Sequence, residues 1–202
     1  MHELHEICIT AHTGALRTQA NTLRSVQTCL GLAGVDCIEV DLRFLPCGTP
    51  ALGHNWVNAR SPKLAAVFEL MQGCETRINL DMKESTHVGE VIKLVDAYGL
   101  QGRVLMSGLS KSDCETVRHC GLPYYLNGTD VSAANEVDAL GVNIHHSICS
   151  EDLVAEAHKA GLLVSVWTVD RPRAMRKMLR LRVDNITTKK PDKLLEIMSY
   201  AI

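Results

Sequence analysis

A closed (β/α)8 barrel is the fold this sequence predicts, and three observations predict it. Short apolar runs alternate with longer amphipathic stretches from end to end, giving eight strand–helix units in 202 residues. The apolar runs are nearly uninterrupted, as parallel strands covered on both faces require. The repeat shows no reversal of the kind an open doubly wound sheet needs, so closure into a compact barrel, near the lower end of that fold's size range, is favoured. No linker, low-complexity run or charge block breaks the pattern, and residues 1–202 read as one barrel domain.

The elements follow in order. Residues 7–11 form a strand that ends at His12-Thr13-Gly14, and residues 21–33 place Leu23, Val26, Leu30 and Ala33 at helical spacing before Gly34. Residues 37–44 are the second strand, 46–50 a Pro/Gly turn, and 51–54 a short returning arm. Pro62 opens a helix with a stripe of Leu64, Val67, Phe68 and Met71. The third strand is 77–82, followed by a helix marked by Val88, Val91, Ile92 and Val95. Strands at 104–106, 124–126, 142–144, 162–169 and 183–186 then alternate with helices at 111–119, 132–140, 150–161, 172–181 and 191–198.

Composition narrows the function. The chain is 46% hydrophobic and 22% charged, which excludes a disordered or collagen-like protein. Twenty-one Lys and Arg against 23 Asp and Glu give a net charge of −2, so no basic surface calls for nucleic acid or an anionic membrane. No run approaches the ~18 apolar residues of a membrane span. The first six residues are acidic and lack the basic start and apolar stretch of a secretory signal. Eight cysteines without a Cys-x-x-Cys pair read as reduced core thiols, not as a zinc or redox motif. The expectation is a soluble, cytoplasmic protein of open oligomeric state.

In such a barrel, chemistry gathers at the carboxyl ends of the strands. His12 ends the first strand, Glu39 and Asp41 lie on the second, His54 follows the next turn, Asp81 and Lys83 lie on the third, and Trp167 ends the seventh. Residues i and i+2 of a strand share a face, so Glu39 projects with Asp41 and Asp81 with Lys83. Carboxylates converging inside a barrel repel one another unless a cation lies between them, and all-oxygen ligands favour Mg²⁺ or Ca²⁺ over zinc. The bland alternative is that these acids cap helices or pair with Lys83, Arg43 or Arg77. Two histidines able to exchange protons near neutral pH, with a lysine and a metal, suit displacement at phosphorus. His145 and His146 sit at another strand end, where adjacent side chains point apart, and read as structural; His2, His5, His87, His119 and His158 read as surface or helix residues.

Taken together, His12-Thr13-Gly14, Asn21-Thr22-Leu23, Glu39-Val40-Asp41, Gly48-Thr49-Pro50 and Gly53-His54-Asn55 resemble the amino-terminal signature of the glycerophosphodiester phosphodiesterase family, within the PI-PLC-like phosphodiesterase superfamily. Asn79-Leu80-Asp81-Met82-Lys83 is similar to its third-strand motif, and the stretches around Trp167 and Ile186-Thr187-Thr188 to its last two units. The resemblance runs over nearly the whole chain. It implies a barrel that cleaves glycerophosphodiesters to glycerol 3-phosphate and an alcohol with a divalent cation. Glu39, Asp41 and Asp81 would be metal ligands, His12 and His54 the acid–base pair, and Lys83 the stabiliser of phosphate charge. Trp167 would wall the glycerol or head group, or pack the barrel top.

The chain resembles a compact variant, with His-Thr-Gly in place of His-Arg-Gly. Thr13 cannot offer the planar fork of a guanidinium, and Arg17 in the same loop is the candidate replacement for binding substrate. Ala20 stands where the family has Glu, Asn55 where it has Asp, Asp81 where it has Glu, and Lys189 where it has Asp. Only Asn55 to Ser61 fills the place of an inserted subdomain, leaving a more open mouth. These departures support an alternative, a catalytically silent barrel that binds a phosphorylated ligand or a protein partner. The retained acids, lysine and histidines argue for the enzyme. A sugar-phosphate isomerase is disfavoured because the last two loops lack glycine.

Overall fold

The structure, a computed structural model, describes residues 7–200. The amino-terminal segment, with His2 and His5, lies outside the described residues. Eight parallel strands close into a barrel: β1 (Cys8–Ala11), β2 (Cys37–Phe44), β4 (Arg77–Met82), β5 (Val104–Leu109), β6 (Tyr124–Asn127), β7 (Gly141–His145), β8 (Leu163–Trp167) and β9 (Asn185–Thr188). The ring is sealed by β1, which pairs with β9 on one side and β2 on the other. The short arm β3 (Pro50–Leu52) folds back antiparallel on the end of β2.

Helices α1 (Leu23–Leu30), α2 (Leu64–Leu70), α3 (Val88–Ala97), α4 (Lys111–Val117), α5 (Val131–Glu136), α6 (Glu151–Lys159), α7 (Pro172–Leu181) and α8 (Pro191–Ser199) pack outside the ring. Their starts are set by local chemistry: Thr22, Ser110, Asp130 and Ser150 accept hydrogen bonds from the first turns of α1, α4, α5 and α6. Prolines open α7 and α8. Among the described residues no helix is long and apolar enough to cross a membrane.

Strand periodicity decides where the core lies. Ile38, Val40 and Leu42, or Ile78 and Leu80, are buried against the helices. The alternate residues face inward and are polar in most strands. Thr10, Asn79, Ser107, Asn143, Ser165, Asn185 and Thr187 are all buried. Thr10 donates to Asn185 Oδ1 at 2.6 Å, and Asn185 donates to Ser165 Oγ at 2.9 Å, so burial is offset by mutual hydrogen bonds. The apolar core is therefore a shell between sheet and helices, and the barrel's middle is a polar column leading to its mouth.

Boundaries differ from the sequence reading in places. The strand predicted at 183–186 runs at Asn185–Thr188, because Val183 N–H bonds back to Met178 C=O as α7 ends. The strand predicted at 104–106 continues to Leu109 through a register shift at Gly108. Helix α5 is shorter than predicted, ending at Glu136 before the left-handed Asp138. All eight cysteines are free, but Cys47 is exposed on its turn and is not a core thiol.

Candidate active site

The site forms where β2 and β4 run side by side. Glu39 and Asp41 project from β2 into the mouth, and Asp81 on β4 is in direct register with Asp41. One oxygen from each of Glu39, Asp41 and Asp81 lies within 4.8 Å of the others. Lys83, the next inward position after Asp81, places Nζ 2.6 Å from Asp81 Oδ2 and 2.9 Å from Asp41 Oδ1. One ammonium thus offsets two of three crowded charges.

The loop after β1 brings in His12 and a set of fixed donors. His12 N–H bonds to Thr188 C=O at 2.9 Å, which ties the loop to the end of β9. Thr13 N–H donates to Glu39 Oε2 at 2.8 Å. Gly14, Leu16, Arg17 and Asn21 all have positive φ, so this loop holds several left-handed residues close together. The conformation turns Asn21 toward β2, where its Nδ2 donates to Asp41 Oδ2 at 2.7 Å and its Oδ1 accepts from Asp41 N–H at 3.1 Å.

His54 follows β3. Gly53 N–H bonds to Asp41 C=O at 3.0 Å, and His54 Nδ1 lies 3.0 Å from Asp41 Oδ1. With its Nδ1 proton given to that carboxylate, His54 leaves Nε2 for other work. His12 is held in the same sense, since its Nδ1 is 2.7 Å from the Thr13 carbonyl. Burial lowers the pKa of His12, and the Lys189 charge adds to that, outweighing the Thr13 hydrogen bond and the nearby acids; the site favours the neutral ring.

On the other side of Asp81, Gly108 makes room. Its φ is +80°, and a Cβ there would come within 2.1 Å of Asp81 Oδ1 and 2.6 Å of Met82 O. Only glycine lets β5 pass this close to the carboxylate.

These groups line one cavity of about 580 Å³ that includes His12, Glu39, Asp41, His54, Asp81, Lys83 and Trp167. The structure thus brings together seven of the residues singled out in the sequence. Trp167, 37% exposed, stands at the rim with its ring edge-on to His145, the centroids 5.4 Å apart. His146 lies just past the end of β7, so its ring rests 4.6 Å from that of His145 and the two do not point apart as strand alternation would have them. Arg17, expected to bind substrate, is not brought here: it is exposed on the outer turn and does not line the cavity.

Lys189 lines it instead. Asp170 Oδ1 accepts from Lys189 N–H at 2.8 Å, and Lys189 C=O accepts from Leu16 N–H at 3.0 Å, which fixes this loop beside His12. Sequence reading marks Lys189 only as a departure and misses Asn21 and Gly108 as site residues. The signals are present, an Asn able to adopt positive φ and a glycine inside a strand.

Electrostatics mark the carboxylates as a strained group. Burial, together with the charges of Asp81 and Asp41, pushes the Glu39 carboxyl well above its usual range. Burial also raises Asp81, against the opposing pull of Lys83. Asp41 feels burial too, but hydrogen bonds from Asn21, Lys83 and His54 outweigh it and hold the carboxyl below its usual value. Among the described residues, Glu39 Oε1 is buried with no hydrogen-bond partner. An orphaned carboxylate oxygen amid three close acids is the donor set a hard divalent cation completes, so these residues fit a metal.

Fold and lining together define a (β/α)8 barrel with a carboxylate-centred site flanked by two histidines and lysines. A profile described as the Glycerophosphoryl diester phosphodiesterase family matches residues 60–193, and this chain belongs to that family. The matched stretch contains Asp81, Lys83, Trp167 and Lys189; His12, Glu39, Asp41 and His54 precede it. A glycerophosphodiester phosphodiesterase of Caldanaerobacter subterraneus is 24% identical in an alignment 165 positions long that covers 72% of this chain. The aligned part spans 65% of that relative's length.

Two solved structures share the fold. A glycerophosphodiester phosphodiesterase from Parabacteroides distasonis superposes with a TM-score of 0.87 at 18% identity, covering 99% of this chain and 100% of the other. An Oleispira antarctica phosphodiesterase, solved with the product sn-glycerol-3-phosphate, gives 0.85 at 16% identity, covering 95% and 96%.

Proposed function

We propose that this chain hydrolyses glycerophosphodiesters to glycerol 3-phosphate and an alcohol. The observation that carries the reading is the convergence of two imidazoles, Lys83 and the three carboxylates in one cavity. Family membership supports the same reaction class, phosphoric diester hydrolysis.

The chain's own groups divide the work. His12, whose burial favours the neutral ring and whose Nδ1–H is given to the Thr13 carbonyl, has Nε2 free to take a proton from the attacking oxygen. His54 returns a proton to the departing alcohol through Nε2, with its Nδ1–H held by Asp41. Lys83 and Lys189 bind the phosphate's non-bridging oxygens; Lys189 supplies from the last loop the positive charge that Thr13 cannot supply from the first. Trp167 walls the glycerol side. Glu39, Asp41 and Asp81 are the residues that would hold Mg²⁺ or Ca²⁺, and the chemistry such an ion supplies when bound is positive charge against the phosphate oxygens. The near-neutral net charge fits a small-molecule substrate, not nucleic acid, and the free thiols fit a reducing cytoplasmic setting.

Phosphorus NMR on a glycerophosphodiester with the protein and Mg²⁺ or Ca²⁺ tests this. Growth of a glycerol 3-phosphate signal supports the reading, and a cyclic diester seen before it would mean attack by a neighbouring hydroxyl. An unchanged spectrum with glycerol 3-phosphate still binding would favour the silent ligand-binding barrel.

A further inference from the structure

Two amides complete the wall of the catalytic cavity, and the proton transfers and phosphate contacts described above use neither. Asn127 ends β6, and Asn143 lies on β7, the strand directly across the barrel from β2. Both line the cavity that holds His12 and the three acids. They are register partners, so their side chains share the inward face.

Their hydrogen bonds fix which way each amide points. Gly108 N–H, which can only donate, reaches Asn127 Oδ1 at 3.3 Å, so that atom is the oxygen. Asn143 Nδ2 donates to the same oxygen at 2.9 Å. Asn127 is left with Nδ2 and Asn143 with Oδ1, and among the described residues neither atom has a partner. Asn143 is only 7% exposed, so its oxygen is an acceptor held in the wall that a group inside the cavity must match. Satisfying Gly108 N–H needs one acceptor and no second amide.

Their place on the wall says what reaches them. Asp81 on β4, Gly108 on β5, Asn127 on β6, Asn143 on β7 and Trp167 on β8 follow one another around the barrel. Asn127 is therefore held by the same glycine that flanks the Asp81 carboxylate, one strand away from it. Trp167 stands one inward position nearer the mouth than Ser165, the register partner of Asn143. A free donor and a free acceptor side by side, below an indole, suit two neighbouring hydroxyls on a short carbon chain. One hydroxyl accepts from Asn127 Nδ2, the next donates to Asn143 Oδ1, and the C–H groups lie on the ring.

We infer that Asn127 and Asn143 form a diol subsite, and that the substrate presents a free vicinal diol there. On the hydrolase reading, on which this identity rests, the diol is that of the glycerol kept with the phosphate. The pair then selects glycerol phosphate over phosphates whose alcohol keeps one hydroxyl or none.

Calorimetry on the full chain with Mg²⁺ tests the pair with glycerol 3-phosphate, 3-hydroxypropyl phosphate, 2-hydroxypropyl phosphate and propyl phosphate. The four share one phosphate and differ only in their hydroxyls, so the first comparison needs no variant. Wild-type protein binds glycerol 3-phosphate about 10- to 100-fold tighter than either singly hydroxylated ligand, because each missing hydroxyl leaves one amide atom unpaired. Asn127→Asp keeps both hydrogen bonds to Oδ1 and replaces the donor with an acceptor. Asn143→Leu removes the other acceptor while Gly108 still holds Asn127. Each variant abolishes the dependence on one hydroxyl and retains it for the other, whatever its uniform effect on phosphate binding. Equal binding of glycerol 3-phosphate and propyl phosphate, no binding of any of the four, or variant effects uniform across them overturn the subsite. Release of glycerol 3-phosphate from glycerophosphocholine, measured alongside, separates the two readings. Hydroxyl-dependent binding without release sustains the subsite and sinks the hydrolase reading; release by a protein indifferent to the hydroxyls does the reverse.

Discussion

Asn21 grips Asp41 at both ends: its amide donates to Oδ2 at 2.7 Å, and its carbonyl oxygen accepts from the Asp41 backbone N–H at 3.1 Å. A loop residue with φ of +57° thereby fixes the rotation of a buried carboxylate on a strand. Asn21→Ala removes both bonds and leaves Asp41 to Lys83 and His54. A change that disturbs a metal ligand's support costs about 10- to 100-fold in metal affinity. Calorimetric titration with Mg²⁺ or Ca²⁺ checks this, and unaltered affinity would show that Asp41 needs no such support.

Gly108→Ala tests the close approach of β5 to the acids. The added methyl would meet Asp81 Oδ1 and the Met82 carbonyl, both well inside contact distance, at a residue with φ of +80°. Overpacking of this kind costs about 1–3 kcal/mol, and the displaced Asp81 should lower activity more than stability alone explains. Urea unfolding beside steady-state kinetics reads both. A variant with wild-type kinetics would mean that Asp81 has no fixed position to lose.

Lys189 is the last-loop charge proposed to bind the substrate's phosphate. Lys189→Gln should raise KM for the diester and weaken inhibition by inorganic phosphate by about tenfold, the scale of one hydrogen bond to a charged group. Lys189→Arg should restore much of both. A Lys189→Gln protein that binds phosphate normally would return the role to Lys83 alone or to Arg17.

Glu39 makes metal-free stability depend on pH. Its folded-state pKa is raised above its unfolded value by burial and by the neighbouring acids, so the folded protein holds that proton more tightly than the unfolded chain does. The stabilisation this provides is complete below the unfolded pKa of about 4.3 and is lost as pH rises through the folded value. In EDTA, Tm should therefore fall as pH is raised from mildly acidic toward neutral. Glu39→Gln should flatten that slope, and added divalent cation should raise Tm most at the higher pH. A Tm in EDTA that rises over the same interval would contradict the burial of a repelled carboxylate.

The barrel is legible in the sequence because alternation of strands and helices is a property of apolar spacing, which each segment carries in itself. The i, i+2 spacing of Glu39 with Asp41 and of Asp81 with Lys83 likewise suffices, by strand alternation alone, to place four side chains on one wall. What spacing does not carry is contact between distant loops. Lys189 comes beside His12 because β9 closes on β1, and Arg17 is exposed off the cavity in a loop of left-handed residues, and neither fact lies in a local pattern. The polar interior of the barrel is hidden for the same reason, since Thr10 finds Asn185 across 175 residues of chain. The two adjacent histidine rings at 145 and 146, tilted against each other, escape strand alternation because the strand stops between them.

The most direct test of the central claim is release of glycerol 3-phosphate from a glycerophosphodiester by the wild-type chain and by His12→Ala, each with divalent cation and with EDTA. Release is expected from the wild type with the cation, little in EDTA, and a loss of about 10²- to 10⁴-fold in His12→Ala at unchanged folding. Equal release by the two proteins, or release unaffected by EDTA, would contradict the site described above.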